Sequence, residues 1–82
     1  MNTAIGKSLG QAIKKAREKA GFTQEELAAR ANVTVRMLQK YEAGQPRPRY
    51  ETLFQLADAL QMPPEKLLIP MYKEWKKTHR NL

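Results

Sequence analysis

The sequence predicts an all-α fold, a compact bundle of five short helices with a C-terminal extension. Three observations carry that expectation. Apolar residues recur three and four positions apart through most of the chain, the period of a helix with one buried face. Most of these stretches open on a helix-starting signal and close on Gly or Pro. No stretch alternates apolar and polar residues as a half-buried strand does.

The first helix is expected over residues 8–20. Ser8 and Gln11 have capping-box spacing, Gly21 stands where a helix stops, and Leu9, Ala12, Ile13, Ala16 and Ala20 share one face. The second is expected over 24–31, with Thr23 as N-cap, Glu26 completing a capping box and Phe22 stapling against Leu27. The third spans 35–43, capped by Thr34, stapled by Val33 and Leu38, and stopped by Gly44. Only Asn32, Val33 and Thr34 separate the second and third helices. Asn32 sits at the sharp turn and tolerates a left-handed backbone. So short a turn forces a steep crossing, which is a helix-turn-helix. The Pro-containing segment 45–49 is a loop. A fourth helix over 50–60 carries Leu53, Leu56, Ala57 and Leu60 on one stripe. A fifth begins at Pro64, turns Leu67 and Leu68 inward, and is expected to end at Pro70. The chain thus divides into an N-terminal arm (1–7), a helical domain (8–70) and a basic amphipathic tail (71–82).

Eighty-two residues make one domain. Fifteen Lys and Arg against eight Asp and Glu leave a net charge of +7, which points to a polyanionic partner. No cysteine is present, so disulfides, thiol catalysis and Cys-ligated metal are excluded. His79 is the only histidine and has no second metal-binding side chain of its kind. There is no nucleophile–base constellation and no phosphate-binding loop, so the chain does not read as an enzyme. No cofactor, metal or small-molecule ligand is evident. No apolar run reaches membrane-spanning length and no secretory signal precedes the first helix, so a cytoplasmic protein, bacterial or encoded by a phage or plasmid, is expected.

Taken in order, Leu9-Gly10-x-x-Ile13-x-x-x-Arg17, the run Gly21 to Ala28, Val33-Thr34, Leu38, Tyr41-Glu42-x-Gly44, Pro48 and Glu51-Thr52-Leu53 resemble the Cro/phage-repressor helix-turn-helix family. The resemblance covers residues 8–69. It implies a lambda-repressor-like five-helix bundle whose third helix enters the DNA major groove, and an ion pair between Arg17 and Glu42. It also puts Gln24 at a phosphate, and the loop carrying Arg47 and Arg49 where such proteins grip the DNA backbone. Four positions depart from the family pattern. Ala16 replaces a larger apolar residue, Asn32 and Gln61 replace glycine, and Pro63 replaces a Ser-type cap. These are expected to cost stability without changing the fold.

With Leu38 set inward and about 100° per residue, Tyr41, Thr34 and Glu42 turn toward the domain. Arg36, Lys40 and Ala43 turn away, with Gln39 at the edge. Arg pairs with guanine and Gln with adenine through two hydrogen bonds each, so Arg36, Gln39 and Lys40 are the expected base readers. Thr34 and Val35 offer methyl groups for thymine. Thr23 and Gln24 open a helix whose free N–H groups favour an anion. Together with Arg47, Arg49 and the hydroxyl of Tyr50 they are the expected phosphate contacts.

As a helix, the tail places Met71, Tyr72, Trp75, Thr78, His79 and Leu82 on one side and its basic residues on the other. So short a helix rarely holds alone in water, so Tyr72, Trp75 and Leu82 pack either on their own bundle or across a dimer interface. The function expected is sequence-specific binding of double-stranded DNA by a transcription regulator, a repressor, as a homodimer on a palindromic operator. The competing reading is a protein-interaction module of the same fold, an antitoxin or coactivator-like adaptor. An RNA-binding domain lacks support, since neither an RNP-like motif nor a GxxG loop occurs.

Overall fold

A computed structural model describes residues 3–79. Among them the chain forms five α-helices and no strand: α1 (Thr3–Ala20), α2 (Gln24–Ala31), α3 (Val35–Glu42), α4 (Tyr50–Ala59) and α5 (Pro64–Thr78). Helix α1 packs on α3 and α5, α2 on α3 and α4, and α4 on α5. Their shared core is centred on Ile13, Leu27, Leu38, Leu56 and Leu67, all fully buried. Burying an aliphatic side chain of this size stabilises by about 1.5–3 kcal/mol, and α1, α2, α3, α4 and α5 each contribute one.

Local signals set most helix ends. Thr23 Oγ1 accepts from the Glu26 amide at 3.0 Å while Glu26 Oε1 accepts from the Thr23 amide at 2.8 Å, a closed capping box. Thr34 Oγ1 accepts from the Met37 amide at 3.1 Å and starts α3. Asn32 ends α2 in the left-handed region, φ 58° and ψ 44°, as the sharp turn required. Gln61 also adopts a positive φ, 56°, between α4 and α5. Asn32 and Gln61, the two positions where the family pattern has glycine, therefore keep a glycine-like backbone. Pro63 precedes α5 with no side-chain cap.

Two helices run further than local signals indicated. Helix α1 begins at Thr3, so residues 3–7 are its first turns and not an arm, and Ser8 lies inside it without capping. Ile5 is buried and extends the stripe of Leu9 and Ile13 by one turn. Glycine disfavours a helix interior by about 1 kcal/mol relative to Ala, which weakens this start in the sequence. The two glycines there are required by packing. A Cβ on Gly10 would stand 2.6 Å from the Tyr41 carbonyl oxygen and 2.7 Å from that of Glu42, and one on Gly6 would collide with the Gly44 carbonyl oxygen. Helix α1 thus rests directly on the end of α3. Ala20, expected on the inner face, is exposed at the far end of α1.

Helix α5 continues through Pro70 to Thr78, so the tail is not a separate segment. Proline inside a helix removes one hydrogen bond and crowds the preceding turn, at about 3 kcal/mol. Packing offsets this: Leu67 is fully buried, and Leu68 and Met71 on either side of Pro70 lie against the core. Tyr72 remains 57% and Trp75 40% exposed; the two stack on one another, with ring centroids 6.2 Å apart, and Trp75 stacks on His79 at 4.5 Å. Leu82 lies outside the described residues.

Candidate nucleic-acid interface

The outward side of α3 is built from its inward side. Leu38 and Tyr41 are buried, and Met37 and Val35 lie partly buried against the core. With those positions committed, Arg36, Gln39, Lys40 and Ala43 are exposed together. Val35 is only half-buried, and so keeps part of its surface in solvent near the start of α3. Thr34 is exposed rather than turned inward, because as the N-cap it stands outside the helical register.

Behind this face sits one polar network. Arg17 Nε donates to Glu42 Oε2 at 2.7 Å and its Nη2 donates to Oε1 at 3.1 Å, a two-pronged ion pair. Arg17 Nη1 donates to the Phe22 carbonyl at 2.9 Å. The Glu42 side chain is only 4% exposed, so this pair ties α1, the entry to α2 and the last turn of α3 together. The hydrogen bond to Glu42 holds the Arg17 guanidinium still more firmly protonated than usual, against the opposing effect of burial. No described buried side-chain polar atom is left without a partner.

Gln24 joins the same network. Its Nε2 donates to Glu42 Oε1 at 3.0 Å, and its Oε1 accepts from Gln39 Nε2 at 3.5 Å. The first residue of α2 is therefore held by the last residue of α3, and it touches an expected base reader. The sequence pointed to Gln24 as a phosphate contact, but nothing local marked it as a bridge between the two helices. Arg30 is similarly engaged, its guanidinium 4.5 Å above the Phe22 ring.

Arg47 and Arg49 are exposed on the loop that leaves α3, and Tyr50 at the start of α4 is 82% exposed. Thr23 is exposed at the start of α2, its hydroxyl used in the cap. The expected base readers and phosphate contacts thus fall on α3 and on the two chain segments flanking it in sequence. Missing from the sequence reading was the Gly6–Gly10 contact that seats α1 on α3. The signal was the Gly-x-x-x-Gly spacing, which lets two backbones approach. Among the described residues no cluster of metal-binding side chains occurs, and no helix is long and apolar enough to cross a membrane.

A protein-family profile described as Helix-turn-helix matches residues 13–67. The chain belongs to the Cro/repressor-type helix-turn-helix family. That family comprises DNA-binding transcription regulators and not enzymes. This family member is 38% identical over 61 residues to the HTH-type transcriptional regulator ImmR of Bacillus subtilis (strain 168), a match covering 74% of the chain. The chain spans about half of ImmR, 48% of its length. Its fold is similar to that of the restriction-modification controller protein C.AhdI from Aeromonas hydrophila, with TM-score 0.77 and 28% identity, covering 78% of this chain and 97% of that one. It is equally similar to the clp gene regulator ClgR from C. glutamicum, with TM-score 0.78 and 27% identity, covering 85% and 91% of the two chains. The lambda-repressor-like bundle implied by the sequence motifs is the fold of this chain.

Proposed function

We propose that the protein is a sequence-specific double-stranded DNA-binding transcription regulator that inserts α3 into the major groove. The observation that carries this reading is the exposed trio Arg36, Gln39 and Lys40 on a helix whose inner side is pinned by Arg17, Glu42 and Gln24. Bidentate base pairing needs a side chain whose backbone does not drift, and a buried ion pair supplies that orientation better than it supplies net stability. Thr23, Gln24, Arg47, Arg49 and Tyr50 flank the helix as phosphate contacts. Gln24 then both touches phosphate and orients Gln39. Thr34 and Val35 read thymine methyls at the near end.

The regulator is a repressor that occludes promoter DNA, and it acts as a homodimer. One α3 offers few base contacts. Two copies on a palindrome, with recognition helices about 34 Å apart, double them. The roles of ImmR and ClgR as regulators and of C.AhdI as a controller protein support the regulatory reading. The test is selection of bound sites from random duplex DNA at two salt concentrations, followed by binding of the selected site and a scrambled duplex. Wild-type protein enriches one palindromic site. Arg36→Ala loses affinity for that site by about 1–3 kcal/mol while its scrambled-duplex binding changes little. Equal losses on both duplexes would remove Arg36 from base reading. No enrichment at either salt would remove the function.

A further inference from the structure

A groove of about 270 Å³ lies between the N-terminal turns of α1, the loop after α3 and the C-terminal half of α5, lined by Ile5, Arg47, Leu68, Met71, Tyr72 and Trp75. It exists only because α1 starts early and α5 continues through Pro70. Its walls are aliphatic and aromatic. The polar groups of its lining side chains are a guanidinium, a phenol and an indole N–H. None of the three has a hydrogen-bond or ion-pair partner among the described residues, and no lining residue carries a carboxylate. A cation and two donors around an apolar floor match a ligand with an apolar, ring-shaped body and a negatively charged acceptor. A volume just below the usual range for small-molecule sites limits that ligand to a small one.

We propose that this groove binds a small aromatic carboxylate, with its ring against Tyr72, Trp75, Leu68 and Met71 and its carboxylate on Arg47. Guanidinium and carboxylate pair through two parallel hydrogen bonds, which gives this site its charge preference. Arg47 is also a proposed DNA phosphate contact, and a guanidinium paired with a carboxylate in the groove has its positive charge neutralised and its hold on a phosphate weakened. Ligand and DNA therefore compete, and the ligand acts as an inducer that loosens the regulator from its operator. The competition, unlike the binding, rests on the proposed DNA-binding function.

The protein carries its own reporter, because Trp75 is the only tryptophan. Full-length protein without DNA is titrated with phenylacetate, with the neutral phenylacetamide and with the cationic benzylamine, following Trp75 emission. Phenylacetate has about ten non-hydrogen atoms and is expected to give a saturable change in the micromolar-to-millimolar range. The amide and the amine give none in that range. Arg47→Gln weakens phenylacetate by about tenfold or more, the loss expected for a hydrogen bond to a charged group. Tyr72→Ala, at a side chain 57% exposed, folds as the wild type by circular dichroism and also weakens it. Saturating phenylacetate then lowers affinity for the selected duplex, and by linkage the duplex lowers phenylacetate affinity by the same factor. No saturable signal, or equal binding of the three probes, overturns the site. So does a Tyr72→Ala protein that changes only its self-association in sedimentation, since the groove is then an interface between copies. Binding of phenylacetate with no effect on duplex affinity keeps the site and overturns its coupling to DNA. Binding of phenylacetate by a protein that enriches no duplex keeps the site and overturns the DNA-binding function alone.

Discussion

Arg17 and Glu42 show what a single pair of residues does here. Neither is close to the other in sequence, yet the carboxylate takes hydrogen bonds from Arg17 on one side and Gln24 on the other. Removing one partner leaves a buried charge without compensation, which costs about 3–5 kcal/mol. Arg17→Ala is therefore expected to lose at least about 3 kcal/mol in urea unfolding, a large fraction of a small domain's stability. Gln24→Ala separates stability from recognition. It removes one bond to Glu42 and leaves the ion pair in place, so unfolding should change by about 1 kcal/mol. If Gln24 orients Gln39, the same change also lowers discrimination between the selected duplex and a variant at the base that Gln39 reads. The Arg17–Glu42 pair was legible from the family motifs. The part Gln24 plays was not, because motif spacing places Gln24 at a helix start and says nothing of the helix end it meets.

Helices show a different balance. Helix α2 stands on its capping box, and the hydrogen bonds from Thr23 hold the Glu26 carboxyl below the usual carboxylate range. A depressed folded-state pKa adds stability above the ordinary Glu value and loses it as pH falls through the folded value. Thr23→Ala is expected to cost about 1 kcal/mol at neutral pH, while Glu26→Gln, which removes the titrating carboxyl, is expected to lose less stability than the wild type does on acidification below the ordinary Glu range. Helix α5 tolerates a proline that its local rules forbid. Pro70→Ala restores an amide donor in the helix interior and is expected to raise the melting temperature, by as much as about 3 kcal/mol in stability, with duplex binding unchanged. Helix α1 tolerates glycines because it needs them. Gly10→Ala forces a methyl against two backbone oxygens of α3, which cannot swing aside as a side chain tip can. The expected loss is about 1–3 kcal/mol in denaturant unfolding, together with weaker duplex binding, since the displaced element is the end of the recognition helix.

At the scale of the whole molecule the +7 charge sets how binding responds to salt. Each phosphate neutralised contributes about 0.9 to the slope of log affinity against log salt. Arg47→Ala and Arg49→Ala are each expected to lower the slope by about that amount and to weaken selected and scrambled duplexes alike. Fluorescence anisotropy across a salt series measures it. An unchanged slope would move the phosphate grip away from the loop after α3. Much of the basic charge lies elsewhere, on the exposed Lys14, Lys15 and Lys19 of α1 and Lys73, Lys76 and Lys77 of α5. Charges there steer approach to DNA without entering the slope through contact.

Periodicity and capping, read along the chain, were enough for the all-α class, the helix-turn-helix, the left-handed turn at Asn32 and the outward set of Arg36, Gln39 and Lys40. These depend on residues within a turn or two of one another, so their physics is complete in a short window of sequence. Where α1 begins, how far α5 runs, and the groove the two enclose beside Arg47 depend on burial against distant elements. Gly6, Gly10 and Pro70 each disfavour a helix by its own neighbours. Only the free energy of packing α1 on the end of α3, and α5 along α1, outweighs that local cost.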